Sequence, residues 1–551
     1  MSTQAAARRI VIIGGGFSGV YTAMALDRLW RRHRRGERVE IALINRENYF
    51  VFQPMLPEVI SGSVGLTHVV IPIRKLCPRV TLYTREVQSI NLDEKIIVTS
   101  PGVRPKPTSI RYDYLVLAPG TTTDFSGSPG FQEYAFPFKN LGDALALRNH
   151  LLHTLEEAAI EEDPCLRQQL LTYIVVGGGF SGVEVAAAMN DFLREAGRSY
   201  THLRPQDIRV VLIDKGARIL EEMSEGLAAY AERLLRRRGV ELQLNRRAKG
   251  ATAEGVFLTD GSKIPARTLV STVPPGVHPL IMGLPIEKDK RGRVMVDEFL
   301  EVRGQPGVWA LGDCAWIPDR VKGGRSPATA QFAVREAECA ARNIYAAIHG
   351  GDKVPFVFSG LGKLGSLGHY SAVAEVFGIK FSGFFAWLIW RAVYLMKLPG
   401  LERKLRVGLD WALDLLMPPD IVQLKVQPSQ SFATERFEAG ETIVRQGELG
   451  DRMYLITDGE VDVFKEDDQG QEARLATLGP GEYFGEMALL WQQSRSATVR
   501  GRTNGSLVSV RRGDFAALLS YFPELSQRFE RLAQQRRELS RAGSPPERGH
   551  Q

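Results

Sequence analysis

The string GGGFSGV occurs twice in this chain of 551 residues, at positions 14–20 and again at 177–183. Each copy follows a short apolar run and precedes an alanine-rich stretch, a pattern that predicts a strand, a tight glycine turn and a helix. In such a G-x-G-x-x-G loop the first glycine makes the turn, the second admits a pyrophosphate, and the third lets helix and strand pack. A glycine-rich turn without a ligand would explain one copy. Two copies in the same context predict two dinucleotide sites.

The next strand in each half indicates how its dinucleotide is held. IRVVLID ends in Asp214, whereas VEIALIN ends in Asn45. A carboxylate at this point accepts hydrogen bonds from ribose hydroxyls and repels a 2′-phosphate, which favours NADH over NADPH at the second site. Lys215 and Arg218, which follow closely, weaken that preference. Asn45 can still hydrogen-bond a hydroxyl but carries no charge.

Two further apolar strands, in YDYLVLAPGT and GVWALGDCA, stand on either side of the second glycine unit and end in glycine turns. Ligands of open α/β sheets bind at such strand ends, so the second unit is predicted to be inserted within the first. The fold class is therefore α/β with two Rossmann-like domains. Their predicted limits are 1–145 with 273–375 for the first domain and 146–272 for the second.

Composition narrows the class of protein further. The formal charge of +7 is modest for this length, so it is compatible with an anionic membrane surface and does not indicate nucleic acid. No secretory signal is recognisable at the start, which predicts a cytoplasmic body. No C-x-x-C pair occurs, so neither a disulfide framework, nor a metal site, nor a redox-active cysteine pair is predicted. The four cysteines are Cys77, Cys165, Cys314 and Cys339.

Residues 8–418 resemble the type II, non-proton-pumping NADH:quinone oxidoreductases, which are flavoproteins with two dinucleotide sites. The matching strings are GGGFSGVYTA, NYFVFQP, YDYLVLAPG, GGGFSGVEVA, ALGDCA and AQFA. Two departures stand out. Pro119 changes the usual ATG turn to APG, and Arg335 replaces the second glutamine of an AQxAxQ pattern. The second departure bears on the quinone more than on the flavin or NADH.

The resemblance implies FAD in the first site, NADH in the second, and a quinone as electron acceptor. It implies that Glu184 lies near the nicotinamide and that Gln331 lies on the quinone-facing side of the flavin. It also implies cofactor-binding roles for the following residues. For FAD they are Gly14, Gly16, Gly19, Asn45, Gly120 and Asp313, and for NADH they are Gly177, Gly179, Gly182 and Asp214.

Residues 376–418 are predicted to form amphipathic helices on a membrane surface. The uncharged stretch FSGFFAWLIW has ten residues, about half of what a spanning helix needs. The next segment, LERKLRVGLDWALDLLM, places leucines on one helical face and charged residues on another. Packing of both helices on the body or on a second copy of the chain is the alternative. The aromatic residues assigned to the lipid interface are Phe384, Phe385, Trp387, Trp390 and Trp411.

After Pro418 and Pro419 the sequence changes to short alternating strands with glycine turns, which predicts a small β-roll over 419–540. Its segment FGEMALLWQQSRSATV resembles the phosphate-binding cassette of cyclic nucleotide-binding domains, which implies cAMP or cGMP as ligand. A roll that keeps only the fold is the alternative. Residues 541–551 are predicted to be disordered. The predicted ligand-binding residues are Gly485, Glu486, Arg495, Ser496 and Ala497.

Together these features predict an FAD-dependent NADH dehydrogenase bound peripherally to the cytoplasmic side of a membrane, where it reduces quinone. The C-terminal domain would be a cyclic nucleotide sensor that regulates the enzyme. A homodimer is compatible with the sequence. Two other functions stay open at this point: a signalling or scaffold protein whose flavoprotein body is redox-silent, and a flavoprotein reductase whose acceptor is a protein.

Overall fold

The structure, a computed structural model, forms two compact units, Met1–Leu424 and Lys425–Gln551. The predicted boundary after residue 418 precedes this division, because residues 420–424 belong with the first unit. The predicted disordered tail, 541–551, lies outside the described residues. The residues that the structure describes are 8–32, 39–100, 107–125, 127–272, 276–418, 420–424, 432–448, 450, 452–466, 471–490, 494–511, 515, 519, 529, 531, 533 and 534.

A parallel five-stranded sheet forms the centre of the first dinucleotide-binding half. Its middle strand, Arg8–Ile13, is apolar and buried on both faces from Ile10 onwards, as expected of a sheet covered on both sides. The long helix that follows the first glycine loop packs against the helix Ala330–His349. In spatial order the strands are Val308–Ala310, Tyr114–Leu117, Arg8–Ile13, Val39–Asn45 and Thr81–Thr84.

A second parallel five-stranded sheet is built from residues that lie between the strands of the first. All of its strands fall between positions 135 and 271, whereas the first sheet takes strands from 8–117 and from 308–310. This arrangement agrees with the predicted insertion. In spatial order the strands are Ala135–Pro137, Thr268–Ser271, Thr172–Val176, Arg209–Ile213 and Val240–Gln243.

Helices pack on both parallel sheets, and further helices follow later in the chain. None of those in the described part of the chain combines the length and the apolar character that crossing a bilayer requires. The α-helices are Phe17–Arg32, Leu56–Ser61, Ile73–Leu76, Phe131–Tyr134, Leu141–Ile160, Pro164–Leu170, Phe180–Gly197, Glu225–Arg237, Pro279–Met282, Ala330–His349, Gly383–Lys397, Leu401–Asp414 and Glu486–Leu490. Short 3₁₀ turns cover Gln53–Met55, Pro205–Asp207 and Gly312–Cys314.

Smaller sheets complete the first unit. The one nearest the C-terminal helices is antiparallel and consists of Gly362–Ser366, Ala372–Val376 and Ile379–Ser382. The others are Val87–Asn91 with Ile96–Thr99 and Thr108–Arg111; Ala248–Thr252 with Gly255–Leu258 and Lys263–Pro265; Tyr49–Val51 with Val70–Pro72; Thr121–Thr122 with Gly276–Val277; and Val294–Met295 with Ala315–Trp316.

The second unit contains two four-stranded antiparallel sheets around a small apolar core, which is the predicted β-roll. One sheet has the order Phe432–Phe437, Gly505–Arg511, Arg452–Asp458 and Tyr483–Phe484. The other has the order Thr442–Val444, Thr498–Gly501, Val461–Glu466 and Glu472–Leu478.

The helix Leu401–Asp414 presents its leucine face outward and its acidic face to the body. Lys75 pairs with Glu402 at 2.9 Å, and the Nδ1 atom of His68 lies 2.5 Å from an oxygen of Asp410. Both helices pack on the body through their buried tryptophans, as one of the two alternatives held, but the leucine face of the second helix stays exposed. The exposed side chains are Leu401, Leu405, Leu409, Leu413 and Leu416, together with Phe384 and Phe385 of the preceding helix.

The prediction that three tryptophans lie at a lipid interface is wrong. Trp387, Trp390 and Trp411 are 6%, 1% and 6% exposed, and all belong to the main core of the unit. Their indole rings cover polar groups inside the protein. The Arg391 guanidinium lies 4.0 Å from the Trp387 ring and 4.7 Å from the Trp411 ring, a geometry that favours cation–π attraction.

Candidate functional site

In the first glycine loop, the first and last glycines of the motif are packed tightly against backbone atoms, whereas the middle glycine is not. Gly14 has φ +105°, and a Cβ atom there would lie 2.1 Å from the carbonyl oxygen of Ala118. A Cβ at Gly19 would lie 1.9 Å from the carbonyl oxygen of Gly14. At Gly16, by contrast, a Cβ would meet no atom within 4 Å. The chain thus keeps free space at the position where a pyrophosphate would approach the backbone.

The second loop repeats this arrangement. Gly177 has φ +115°, and its Cβ would lie 2.5 Å from Oγ1 of Thr272, while a Cβ at Gly182 would lie 1.8 Å from the Gly177 carbonyl oxygen. At Gly179 a Cβ would again meet nothing within 4 Å. The middle glycine therefore opens both loops, at the N-terminus of the following helix, where the backbone amides and the helix dipole favour an anion.

The polar residue at each strand end holds its glycine loop. The Oδ1 atom of Asn45 accepts a hydrogen bond from the amide of Gly15 at 2.8 Å. Asp214 accepts from the amide of Gly178 at 2.5 Å and from that of Gly216 at 2.6 Å. Both side chains therefore lie beside the phosphate loop, the place from which a ribose would be contacted. Each carboxylate oxygen of Asp214 can accept a second hydrogen bond.

Three sequence segments assigned to FAD meet at one edge of the first sheet. The strand that ends before Gly120 lies between the strand before Gly14 and the strand before Asp313. All three are parallel, so their carboxyl ends are adjacent. Gly120 has φ +72°, and a Cβ there would meet no atom within 4 Å. The predicted FAD residues therefore surround one open edge, which is where ligands of such sheets bind.

Glu336, which no sequence motif singled out, lies beside the predicted FAD-binding edge of the first sheet. It is 2% exposed, and its carboxylate accepts a hydrogen bond from the amide of Gly312 at 2.8 Å, next to Asp313. Burial raises the pKa of Glu336 to about 8, the Gly312 amide lowers it, and the charge of Asp313 raises it further. The sequence does contain a sign of this position: Glu336 is an acidic residue among the alanines on the inner face of the helix Ala330–His349.

Glu184 lies on the helix that follows the second glycine loop. Its Oε1 atom accepts a hydrogen bond from the amide of Ser366 at 2.9 Å. Burial raises the pKa of Glu184 to about 8, whereas the Ser366 amide and the nearby indole of Trp390 lower it. The buried Nε1 atom of Trp390 makes no hydrogen bond within the part of the chain that the structure describes. The carboxyl group is therefore mostly protonated at neutral pH.

Gln331 is fixed by the backbone of the segment that also reaches Glu184. Its Nε2 atom donates to the carbonyl oxygen of Gly362 at 3.0 Å, and its Oε1 atom accepts from the amide of Leu361 at 3.0 Å. The strand Gly362–Ser366 thus has Gln331 at its start and Glu184 at its end. The structure brings the two predicted catalytic residues to one strand; their roles stay predictions.

A buried ionic cluster, also missed from the sequence, lies beneath the two C-terminal helices of the first unit. Glu58 accepts a hydrogen bond from Nε1 of Trp411 at 2.8 Å and lies 4.0 Å from Arg391, which also pairs with Asp414 at 3.4 Å. Burial raises the pKa of Glu58 to about 7, and the charge of Arg391 lowers it. This cluster attaches both helices to the body.

In the second unit, Arg495 is turned inward toward the predicted phosphate loop. It is 6% exposed, and its guanidinium donates to the carbonyl oxygens of Gly485 at 3.1 Å and Arg452 at 2.7 Å. Glu486, which begins a short helix, is 2% exposed. The following residues differ: Ser496 is exposed and Ala497 is half-buried. Arg495, Gly485 and Glu486 thus lie together at the loop.

Three regions of the chain match known families. Residues 8–337 match the family described as pyridine nucleotide-disulphide oxidoreductase, residues 361–418 match the NDH2 C-terminal domain, and residues 434–522 match the cyclic nucleotide-binding domain. The chain is 31% identical to the type II NADH:quinone oxidoreductase Ndh of Mycobacterium tuberculosis, over 78% of this chain and 92% of that protein.

Two further proteins are similar to this chain, one in sequence and one in fold. The chain is 32% identical to the demethylphylloquinone reductase NdbB of Synechocystis, over 73% of this chain and 95% of that protein. The structure of NDH2 from Plasmodium falciparum in complex with NADH superposes with a TM-score of 0.69 at 20% identity, over 75% of this chain and 99% of that one. At this identity the structural likeness concerns the fold.

The fold and its glycine loops define a pyridine nucleotide-disulphide oxidoreductase. Within that class, the chain belongs to the type II NADH:quinone oxidoreductase family, to which a cyclic nucleotide-binding domain is added at the C-terminal end. The predicted family and the predicted fold class are both confirmed.

Proposed function

We propose that this protein oxidises NADH and transfers the electrons, through FAD, to a quinone held in a membrane. The observation that carries the proposal is the pair of glycine loops whose middle glycines, Gly16 and Gly179, face space that no described residue fills. When bound, FAD accepts a hydride and passes on two electrons. Flavin absorbance of the purified protein, its loss on adding NADH, and its return on adding a quinone analogue test this function.

The residues of the first loop fit FAD and those of the second fit NADH. Asn45 and Asp214 stand beside their respective loops, in position for ribose hydroxyls, and the Asp214 carboxylate disfavours the 2′-phosphate of NADPH. A protein that fails to reduce quinone analogues but reduces a small iron–sulfur protein would instead be a reductase with a protein acceptor. A protein without flavin would be the signalling protein considered above.

Glu184 supplies proton chemistry to this reaction. Reduction of a quinone by NADH consumes one proton from outside the pair, since NADH and H⁺ with quinone give NAD⁺ and quinol. The Glu184 carboxyl is protonated at neutral pH because burial raises its pKa to about 8. It is held by the Ser366 amide at the end of the strand whose first residue, Gly362, accepts a hydrogen bond from Gln331. We assign it the role of holding a proton for the quinone.

This role predicts a pH dependence. Because the protonated form of Glu184 is the active one, kcat should fall as the pH rises through about 8. Glu184→Gln should lower kcat and remove that descending limb, as measured by quinone-dependent NADH oxidation between pH 6 and 9.5. Glu195→Gln is the matched control, because Glu195 lies on the same helix in an exposed pair with Arg198. A descending limb that persists in Glu184→Gln would contradict the assignment.

We further propose that the exposed leucine face of Leu401–Asp414, with Phe384 and Phe385, rests in the surface of the membrane on its cytoplasmic side. Apolar side chains provide most of the binding energy, and Arg403, Lys404 and Lys397 add attraction to anionic lipid. The acidic side chains of this helix are directed to the body, where they do not oppose such binding. A quinone dissolved in lipid is then close to its reductant.

The C-terminal unit is proposed to bind cAMP or cGMP and to regulate the enzyme. The buried guanidinium of Arg495 would exchange its carbonyl partners for the cyclic phosphate, and Glu486 would accept a hydrogen bond from the ribose 2′-hydroxyl. Ser496 and Ala497 would add a hydroxyl and a backbone amide. Support comes from the match of residues 434–522 to cyclic nucleotide-binding domains.

Arg495→Ala should weaken cyclic nucleotide binding by about 2 kcal/mol or more, roughly 30-fold in Kd, because a charge-assisted bond to the phosphate is lost. Calorimetric titration of the full chain with cAMP and with cGMP measures this. Arg502→Ala is the control, since Arg502 makes an exposed pair with Glu460 at 3.3 Å. Equal affinities for the two variants would contradict the proposed ligand site.

A further inference from the structure

Arg148, on the helix Leu141–Ile160, connects three segments that are distant in sequence. One guanidinium nitrogen donates to the carbonyl oxygen of Ile60 at 2.7 Å, and the other donates to the carbonyl oxygen of Asp420. The guanidinium also lies 4.7 Å from the centre of the Phe192 ring. A single side chain therefore contacts a short helix of the first half, a long helix of the second half, and the segment that follows the membrane helices.

The adjacent Asn149 fixes the rest of that segment. Its Nδ2 atom donates to the carbonyl oxygen of Leu424 at 2.7 Å, and its Oδ1 atom accepts from the Leu424 amide at 3.0 Å. Residues 420–424 are the last residues of the first unit, and the chain enters the second unit at Lys425. Arg148 and Asn149 thus hold the end of the connection to the cyclic nucleotide-binding domain.

The other two contacts of Arg148, with Ile60 and Phe192, are made with the helices that carry Glu58 and Glu184. Ile60 belongs to the helix Leu56–Ser61, which carries Glu58, and this helix packs against the helix Phe180–Gly197. Phe192 belongs to that second helix, which begins at the NADH loop and carries Glu184. A shift of the Arg148 side chain is therefore a shift of a group that touches both helices.

A guanidinium is suited to this position because its planar set of donors can serve two carbonyl oxygens while one face stacks on a ring. Arg148 is partly buried, and a buried cation needs all of its hydrogen-bond partners. Withdrawal of the Asp420 carbonyl would leave a donor unpaired. The side chain would then move, and its contacts with Ile60 and Phe192 would change with it.

We propose that Arg148 is the residue through which residues 420–424 transmit the state of the C-terminal domain to the NADH site. This inference rests on the proposed binding of a cyclic nucleotide. In it, Arg148 is a positioning residue, because it contacts the helices that carry Glu58 and Glu184 and changes how they are held.

The test measures two quantities on the full chain, with and without saturating cAMP or cGMP. The first is the ratio of quinone-dependent NADH oxidation rates with and without nucleotide, which we expect to differ from 1 by about fivefold or more in the wild type. The second is hydrogen exchange of residues 420–424, where the Leu424 amide is protected by Asn149. We expect the nucleotide to change both quantities.

Arg148→Ala and Arg148→Lys should bring the rate ratio close to 1 while nucleotide affinity stays at the wild-type value. Lysine keeps the charge but cannot serve both carbonyls and the ring. Asn149→Ala, which leaves the contacts of Arg148 with Ile60 and Phe192 in place, should reduce the ratio and raise exchange at residues 420–424. Arg198→Ala, which removes an exposed pair with Glu195, is the matched control and should keep the wild-type ratio.

The outcomes separate the inference from the function on which it rests. A wild type that binds no cyclic nucleotide, or does not respond to it, overturns the proposed regulation and this inference together. A wild type that responds, with Arg148→Ala and Asn149→Ala responding equally, overturns the inference alone. If Arg148→Ala does not fold, Asn149→Ala and the exchange of residues 420–424 decide: an unchanged ratio and unchanged exchange overturn the inference.

Discussion

Gly179→Val is expected to impair NADH oxidation severely in a protein that remains folded and yellow. The valine side chain would meet no protein atom near its Cβ, and Gly179 has φ −73° and ψ −175°, an extended backbone that valine adopts. Among the described residues its Cβ has no neighbour to displace, so we expect the side chain to displace a ligand on the loop. We expect kcat/KM for NADH to fall by about 100-fold or more, because the nicotinamide would be misplaced.

Two other glycine variants make this result specific. Gly16→Val, at the corresponding position of the first loop, should lose the flavin while the fold persists. Gly182→Ala should instead destabilise the second domain, since its Cβ would lie 1.8 Å from the Gly177 carbonyl oxygen. Steady-state kinetics, flavin absorbance and melting temperature distinguish the three. A Gly179→Val protein with wild-type kcat/KM would refute the assignment of the second loop.

Joint replacement of Leu401, Leu405 and Leu409 by glutamate should release the protein from membranes. These side chains are 72%, 67% and 61% exposed, and none packs on the body. Burying a leucine is worth about 1.5 to 3 kcal/mol, so the three together should change membrane partitioning by on the order of 1,000-fold or more. Co-sedimentation with vesicles that contain anionic lipid measures the partitioning.

The same variant should keep wild-type activity with a water-soluble quinone analogue and lose it with a long-chain quinone embedded in vesicles. Arg406→Glu is a suitable control, because Arg406 lies on the charged side of the same helix, in an exposed pair with Glu402. If the triple variant still sediments with vesicles, the surface is not the membrane contact. If it instead changes from dimer to monomer in solution, the leucine face joins two copies of the chain.

The glycine loops and the inserted arrangement could be read from the sequence, because both depend on local patterns. The spacing of Gly14, Gly16 and Gly19 fixes the turn, and the apolar runs before it form the strands. Asn45 and Asp214 could be found in the same way, since each ends the next strand of its unit. The motif around Arg495 was equally local.

The structural features that could not be predicted from the sequence depend on contacts between segments that are distant in it. Glu58 and Arg391 give no sign in the sequence that they share a buried cluster. Trp387 and Trp390 were misplaced because apolar residues occur around the whole helix Gly383–Lys397, so periodicity could not decide which of them face the core. Trp411, on the next helix, was misplaced because its partner Glu58 is distant in the sequence. Arg148 was missed because its partners lie at positions 60, 192 and 420, which are far from it in the sequence.

The strand Gly362–Ser366 bears on how inhibitors of this protein would behave. Gln331 holds one end of the strand, and Glu184, on the helix that begins at the NADH loop, accepts a hydrogen bond at the other, so the acceptor side and the NADH-binding domain share one short piece of backbone. A compound that occupies the acceptor side and disturbs this strand changes the protein's affinity for NADH without competing for the NADH pocket. NADH in turn changes the protein's affinity for the compound by the same factor. Mixed rather than purely competitive inhibition patterns follow from that shared segment.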